Sequence, residues 1–339
     1  MDRIVMIELK QYTQLPDNFF DLSPDRAIEG FPTPSLVHLE GEKEERLLVS
    51  VLLHGNETTS WLAVQKLLAR YQNKKLPRSL SLFIGNVEAA QKGVRRLDRQ
   101  EDFNRIWTHE GASHGNLLAQ KVFSLMREQP LFSAVDIHNN TGKNPYYVCF
   151  SQKDLRFIEL GQAFSHTFVY FKRPQEVFST FFSSLCPSVT IEAGKSGDEE
   201  GVKKVVDYLD YCLTDLEWGT PVSLEELLIY KSVAGILVSR GYSLRFDKVA
   251  SNADITLVEN IEDLNFHDLE SGSLLGWYQR EEPLMVVDTF NNDVTEEYLE
   301  FSQGQIRLKK RMTPAMFTKD IRVINQDCLG YLMERMSDV

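Results

Sequence analysis

The sequence predicts an α/β fold, in which helices cover a mostly parallel or mixed sheet, followed by a smaller β-rich C-terminal domain. Up to about residue 215, short apolar runs alternate with segments of helical spacing, which is typical of a sheet with helices on both faces. Strands are predicted at 47–53, 80–85, 133–137, 146–150, 167–171 and 188–192. Helices are predicted at 59–72, 87–93, 115–128, 153–165 and 200–214.

The second half of the prediction rests on a change of pattern after about residue 220. Short strand-like runs are separated there by Gly, Asn and Asp turns, with few helical stretches between them. These runs lie at 229–233, 255–258, 284–288, 306–309 and 321–324. We therefore predict two domains, residues 1–218 and residues 219–339.

Composition and charge exclude several classes of protein. Hydrophobic residues are 42% and charged residues 25% of the 339, which suits a globular chain with a buried core. The net charge of −12 argues against a nucleic-acid or anionic-membrane partner, because either needs a basic face.

No apolar stretch approaches the roughly 18–20 residues of a membrane span, and no signal peptide is recognisable. The four cysteines form no C-x-x-C pair, so we expect reduced thiols and a cytoplasmic location. The sequence leaves the oligomeric state open, and a homodimer is one of the states it allows.

Polar side chains follow the apolar runs that we predict to be strands. His54 and Glu57 come directly after the strand at 47–53, in a turn that precedes a helix. Two other predicted strands end in His138 and in Glu192. Open α/β sheets place ligands at the carboxyl ends of their strands, and a catalytic zinc takes three protein ligands, from imidazole and carboxylate groups, plus a water. The pattern therefore predicts a metal site with His54 and Glu57, completed by a residue from another strand end.

An arginine-rich segment lies between the two histidines. Four arginines fall between residues 95 and 105, which by itself is typical of a solvated, charged surface. The pair Asn104-Arg105, however, is flanked by Phe103 and Trp107. Because the planar guanidinium is the usual partner of a carboxylate, this pair is also a candidate anion-binding site.

Taken together, these segments resemble the succinylglutamate desuccinylase/aspartoacylase family, a branch of the zinc carboxypeptidase superfamily. The resemblance covers roughly residues 45–200 and extends more weakly into the tail. It rests on four motifs that occur in the family's order: His54-Gly55-Asn56-Glu57, Asp102-Phe103-Asn104-Arg105, Asp136-Ile137-His138-Asn139 and Thr190-Ile191-Glu192-Ala193-Gly194. The resemblance implies a zinc-carboxypeptidase-like mixed sheet and one zinc ion as cofactor.

The resemblance also implies roles for individual residues. His54, Glu57 and His138 would ligate zinc, and an open fourth position would hold a water. Glu192 would accept the proton of that water and later deliver it to the departing amine. Arg95 would polarise the scissile carbonyl and stabilise the developing oxyanion.

The remaining implied roles concern the substrate. Asn104 and Arg105 would bind a substrate carboxylate, and Asn139, which follows a ligand directly, would line the pocket. Asp136 is expected either to support the site from behind or merely to belong to the strand end. The function implied is hydrolysis of the amide bond of a small acidic N-acyl amino acid, as in a succinylglutamate desuccinylase. The alternative is a metallocarboxypeptidase that acts on peptide C-termini.

The chain departs from the family pattern before Glu192. Aspartoacylases carry a Tyr and an Arg there that help to bind the acidic substrate, whereas this chain has Phe178 and Phe182 near those positions. No Arg lies between Pro174 and Glu192, which argues against aspartoacylase activity. The phenylalanines indicate either core packing or an apolar pocket wall. Candidates for a catalytic tyrosine are Tyr146, Tyr147 and Tyr278.

Overall fold

The computed structural model of the protein describes residues 7–336. Its strands are β1 Lys10–Tyr12, β2 Ser35–Leu39, β3 Gly41–Val51, β4 Leu76–Ile84, β5 Leu131–Asn140, β6 Tyr147–Phe150, β7 Thr167–Tyr170, β8 Ser188–Lys195, β9 Leu228–Val238, β10 Leu244–Asp247, β11 Ile255–Val258, β12 Leu274–Tyr278, β13 Leu284–Asp288, β14 Leu299–Ser302, β15 Gln305–Leu308, β16 Thr313–Ala315 and β17 Gly330–Arg335. Its α-helices are α1 Ala27–Gly30, α2 Thr59–Arg70, α3 Val87–Gln91, α4 His114–Arg127, α5 Leu155–Gln162, α6 Phe178–Phe182, α7 Glu199–Thr214, α8 Thr295–Tyr298 and α9 Ile321–Gln326.

Over residues 7–336, a 12-stranded mixed sheet forms the centre of the molecule. Its strand order is β1-β2-β4-β3-β5-β8-β6-β7-β9-β17-β16, and β13 pairs with β9 beside this path. The strands β4, β3, β5 and β8 run parallel to one another, so their carboxyl ends lie at one edge. The predicted mixed sheet flanked by helices is confirmed.

Both faces of the central parallel strands are buried, and residues 47–51 of β3 show why this part of the sequence is mostly apolar. Leu47 and Val49 pack into the core on the side of α2, α5 and α7, whereas Leu48 packs into the core that includes α4 and α6. Side chains alternate between the two faces of a strand, so a strand that is covered on both faces needs apolar residues throughout. The aromatic run of α6 belongs to the second of these cores. This agrees with core packing as the role of Phe178 and Phe182.

The C-terminal part of the chain is rich in strands, as predicted, but it contributes to two sheets. Strands β10, β11, β12, β15 and β14 form a separate 5-stranded sheet. Strands β9, β17, β16 and β13 instead extend the central sheet beyond β7. The division into domains at residue 218 stays a prediction.

One predicted C-terminal strand is wrong. The segment Ile321–Ile324 lies within the helix α9, although its alternation of apolar and polar residues is typical of a strand. The Asp320 carboxylate accepts hydrogen bonds from the N–H groups of Arg322 and Val323, which stabilises a helix start. Within residues 7–336, no helix has the length and apolarity that crossing a membrane requires.

Candidate functional site

A sharp turn after β3 places the first two candidate ligands. Leu52 takes the left-handed backbone conformation, with φ 56°, and this redirects the chain at the end of the strand. Gly55 then packs directly against α3, where an added Cβ would lie 2.1 Å from the backbone nitrogen of Ala90. Its N–H donates to the carbonyl of Arg95 at 3.1 Å. The turn thus fixes His54 and brings the arginine-rich segment to the same edge of the sheet.

Strand register places the other candidate residues. His138 on β5 lies opposite Glu192 on β8 in the parallel ladder. Tyr147 on β6 lies opposite Glu192 on the other side, in an antiparallel pair. The three side chains therefore meet at one point of the edge, although up to 54 residues of sequence separate them. All three are buried.

His54, Glu57 and His138 form a compact buried cluster that could hold a metal ion. The candidate ligand atoms all lie within 4.8 Å of one another. One oxygen of Glu57 lies 2.7 Å from His54 Nδ1, and its other oxygen lies 2.7 Å from His138 Nδ1. The three residues predicted as ligands are thus brought together with one nitrogen of each ring facing a shared carboxylate.

Two further carboxylates, those of Asp102 and Asp136, lie behind the two imidazoles. His54 Nε2 is 3.1 Å from Asp102, and His138 Nε2 is 3.0 Å from Asp136. Ser50 donates a hydrogen bond to the fully buried Asp136. Asp136 therefore supports the site rather than merely ending a strand. Its signal in the sequence was its position, because residues i and i+2 of a strand share a face.

These charges shift the pKa values of the buried groups. Although burial alone would lower it, Asp136 and Glu57 raise the pKa of His138 well above its usual value. Burial would raise the pKa of Asp102, but the His54 imidazole and the Arg95 guanidinium hold it well below its usual range. In the same way, the two histidines outweigh burial and lower the pKa of Glu57. Glu57 and Asp102 therefore stay ionised beside the rings.

Asn139 lines the pocket, but its polar groups are occupied by the protein. Its backbone N–H donates to Glu57 at 3.1 Å. Its side-chain nitrogen donates to the Thr59 hydroxyl at 2.9 Å and to the Gly194 carbonyl at 3.0 Å. The geometry thus shows Asn139 orienting Glu57 and joining two strand ends.

Glu192 is the buried carboxyl group without a hydrogen-bond partner at one of its oxygens. Oε2 is shielded from solvent and contacts no donor among the described residues. Burial, together with the nearby carboxylates, raises the pKa of Glu192 from 4.5 to about 8, and the His138 imidazole only partly offsets this. A carboxyl group with a pKa near neutrality can both accept and release a proton at physiological pH.

Arg95 lies against the metal-ligand cluster, whereas Arg96 does not line the pocket. The Arg95 guanidinium donates to Asp102 from Nε at 3.1 Å and from Nη2 at 3.0 Å. Its Nη1 is 3.8 Å from Glu57. Arg96 donates instead to the carbonyl of Gln100. The structure thus brings Arg95, and not Arg96, to the candidate metal cluster, and its role in carbonyl polarisation stays a prediction.

Asn104 and Arg105 also line the pocket. The Asn104 side-chain oxygen accepts from the N–H of Phe178 at 3.1 Å, and its nitrogen lies 3.0 Å from His138 Nε2. Arg105 donates to the carbonyl of Asn104 at 2.8 Å and lies 3.5 Å from Asp327. The side chains of Arg105 and Asp327 remain 32% and 30% exposed, so a ligand in the pocket can reach both.

The C-terminal part of the chain supplies one wall of this pocket, which sequence reasoning missed. The residues involved are Ser232, Ala315, Met316, Asp327, Tyr331 and Met333. No sequence motif indicates them, because β9, β16 and β17 reach the pocket only through pairing in the central sheet.

The predicted tyrosines differ in position. Tyr147 lines the pocket, and burial raises its pKa well above the usual value. Tyr146 instead donates to Asp198 at the exposed surface, and Tyr278 lies on β12 in the second sheet. Tyr331 is a further pocket tyrosine that was not among the candidates.

Comparison with known proteins relates the site-bearing part of the chain to a family. Residues 43–202 match the family model of the succinylglutamate desuccinylase/aspartoacylase catalytic domain. This segment is therefore similar to the catalytic domain of that family. The family comprises deacylase and aspartoacylase hydrolases of N-acyl amino acids, so the predicted resemblance and the predicted class of enzyme are confirmed. No curated relative matches the chain by sequence.

Solved structures with this fold cover most of the chain. The succinylglutamate desuccinylase from Chromobacterium violaceum is 18% identical, with a TM-score of 0.61 over 89% of this chain and 88% of that one. A succinylglutamate desuccinylase/aspartoacylase from Rhodobacter sphaeroides is 14% identical, with a TM-score of 0.59 over 89% of each chain. Murine aminoacylase 3 is 15% identical, with a TM-score of 0.53 over 87% of this chain and 96% of that one. At these identities the likeness concerns the fold.

Proposed function

We propose that this protein is a zinc-dependent hydrolase that cleaves the amide bond of an N-acyl amino acid. The observation that carries the proposal is the placement of Glu192 opposite His138, with an unpartnered carboxyl oxygen beside a buried His-Glu-His cluster. A metal-binding group next to a proton acceptor is what amide hydrolysis requires.

The hydrogen-bonding capacity of the two imidazoles supports a cation in the cluster. Each ring has a carboxylate oxygen near both of its nitrogens: Glu57 for both rings, Asp102 for His54 and Asp136 for His138. A neutral imidazole carries one N–H, so one nitrogen of each ring faces a carboxylate without a proton unless the cluster takes up positive charge, and the raised pKa of His138 indicates that it does. Glu57 and the two Nδ1 atoms would hold a cation, while the Nε2–H groups would donate to Asp102 and Asp136.

His54, Glu57 and His138 would hold the ion, and the two-imidazole, one-carboxylate set favours zinc. When bound, zinc would supply the positive charge that makes water more acidic and polarises a carbonyl group. The protein contributes the orientation of the three ligands: Asn139 and the two rear carboxylates hold them in place.

Glu192 is the proton carrier of the proposed reaction. Its ionised Oε2 accepts a proton from the attacking water and then donates it to the nitrogen of the departing amine. The apolar surroundings that raise its pKa to about 8 favour the second of these transfers, because they stabilise the protonated acid.

The arginines of the pocket would bind the oxygens of the substrate. Arg95 stabilises the negative charge that develops on the carbonyl oxygen. Asn104 and Arg105 would bind the carboxylate of the amino acid, since both residues line the same pocket. Arg95 also remains bonded to Asp102, which keeps its guanidinium from rotating out of the site.

The wall supplied by the C-terminal strands favours a small substrate over a peptide. Ala315, Met316 and Met333 face the same pocket as the catalytic residues, so space that an extended peptide would need is taken by protein. We therefore place the alternative, a metallocarboxypeptidase acting on peptide C-termini, second.

The test is hydrolysis by zinc-loaded protein across a panel of N-succinyl, N-acetyl and N-formyl amino acids, with short peptides alongside. Turnover of acyl amino acids but not of peptides is expected. Cleavage of peptides from their C-termini would replace this proposal with the carboxypeptidase alternative.

Two kinds of variant test the roles of the residues. His54→Ala and His138→Ala are expected to lose zinc, measured by elemental analysis, while the exposed His166→Ala keeps it. Full zinc retention in both would contradict the ligand assignment. Glu192→Gln is expected to keep zinc and lose turnover by at least about a hundredfold. Unchanged turnover would exclude Glu192 as the base.

A further inference from the structure

The guanidinium that we assign to the substrate carboxylate already has an anionic neighbour. Asp327 Oδ2 lies 3.5 Å from Arg105 Nη2 and 3.9 Å from Arg95 Nη2. Both arginines and Asp327 line the pocket. An incoming substrate therefore meets a carboxylate of the protein at the place where its own carboxylate would bind.

Every arginine that lines the described pocket has a carboxylate of the protein within 4.0 Å. The pairs are Arg95 with Asp102 at 3.0 Å, Arg105 with Asp327 at 3.5 Å and Arg173 with Glu176 at 4.0 Å. Their positive charges are thus largely balanced within the protein. A substrate with two or three carboxylates needs surplus positive charge, and these arginines do not supply it.

The backbone fixes the position of Asp327. It follows α9 directly, and its N–H donates to the carbonyl of Val323 at 2.9 Å. Two residues later, the N–H of Leu329 donates to the carbonyl of Ile236 on β9 at 2.8 Å. These bonds anchor the segment to the central sheet on one side and to α9 on the other, so Asp327 remains at the pocket.

One carboxylate can still bind to Arg105. A guanidinium has five N–H donors, and the described hydrogen bonds of Arg105 are one to the carbonyl of Asn104 and one to Asp327. A second substrate carboxylate nearby would be repelled by Asp327 without a further cation to offset it. The charge pattern therefore favours a substrate with a single carboxylate.

Five further residues give part of the pocket an apolar surface. The side chains that provide this surface are Val169, Phe171, Val177, Met316 and Met333. Contact with them stabilises an apolar group of the substrate, whereas a carboxylate placed there would lose its hydration without a partner.

We propose that Asp327 is a specificity-determining residue that restricts the site to N-acyl amino acids with one carboxylate and an otherwise apolar structure. The inference rests on the proposed deacylase function and names its substrate class. It assigns a role in selectivity to the C-terminal segment.

The test compares two substrates of similar length, N-acetylmethionine and N-acetylglutamate, which differ in one carboxylate. The zinc-loaded wild-type protein is expected to have the higher kcat/KM for N-acetylmethionine. Asp327→Asn is expected to reduce that preference at least tenfold, mainly through a lower KM for N-acetylglutamate. Asp327→Glu keeps the charge and should keep the preference, and Glu334→Gln, at an exposed position on β17, is the matched control.

Binding of the same two compounds provides a readout that does not depend on turnover. Calorimetry with Glu192→Gln and with Glu192→Gln/Asp327→Asn is expected to show tighter N-acetylglutamate binding in the double variant. If wild-type protein prefers N-acetylglutamate, or if neither kcat/KM ratio nor affinity ratio changes with Asp327→Asn, the inference is overturned. Absence of turnover of every acyl amino acid would instead contradict the proposed function, and the binding ratio would still test Asp327.

Discussion

Replacing Glu192 by glutamine is expected to stabilise the metal-free protein, although the same change lowers turnover of the zinc-loaded protein. The carboxyl group is buried and Oε2 has no described hydrogen-bond partner, so its ionised form is unfavourable in the folded state. Glutamine has nearly the same shape and carries no charge. The substitution therefore removes an ionisation that the fold opposes.

The magnitude follows from the pKa of Glu192, which burial raises from 4.5 to about 8. The folded state holds the proton of Glu192 more tightly than the unfolded state does. The contribution of this proton to the free energy of unfolding is therefore fully present below pH 4.5 and is lost as pH rises towards 8. Integrating that difference gives a loss of about 3 kcal/mol at pH 7 and less than about 1 kcal/mol at pH 5. The variant, which has no proton to lose, should gain these amounts over the wild type.

The assay is urea unfolding of wild type and variant in the presence of a chelator, at about pH 5 and about pH 7. Glu159→Gln is the control, since Glu159 is also buried but accepts a hydrogen bond from the N–H of Gly219, and no gain is expected there. The reasoning would be refuted if Glu192→Gln were no more stable than the wild type at neutral pH, or if its gain in the free energy of unfolding did not grow with pH.

Three further outcomes are expected. Asp136→Asn should lower zinc affinity roughly 10- to 100-fold in competition with a chelator, because the carboxylate orients His138. Zinc affinity should rise as pH rises through and above the usual histidine pKa, because the raised pKa of His138 makes zinc compete with a proton. The rise should be up to about tenfold per pH unit for each proton released. An affinity independent of pH would contradict this. Gly55→Ala should destabilise the fold by roughly 1–3 kcal/mol in thermal or urea unfolding, since its Cβ would lie 2.1 Å from the backbone nitrogen of Ala90.

The parts of the site that could be predicted lie at the ends of the parallel strands. His54, His138 and Glu192 each follow an apolar run, and the edge of a parallel sheet is where ligands bind. The central strands themselves were recognisable because both of their faces are buried, which makes their sequences mostly apolar.

The parts that could not be predicted depend on contacts between distant segments. Asp102 supports His54 across 48 residues of sequence, and its place beside Asn104 gives no sign of that contact. The segment Ile321–Ile324 was read as a strand because its pattern is ambiguous over four residues, and the hydrogen bonds of Asp320 decide in favour of a helix.

The sequence by itself indicated the family resemblance, the sheet flanked by helices and, through that resemblance, the three residues that could hold a metal, because local patterns and strand ends are written in adjacent residues. Only the tertiary structure decided which groups surround that centre. It paired Arg105 with Asp327, left Glu192 without a partner at one oxygen, and made the C-terminal strands a wall of the pocket. The physical reason is that charge balance and desolvation act through space, between segments whose separation along the chain carries no signal.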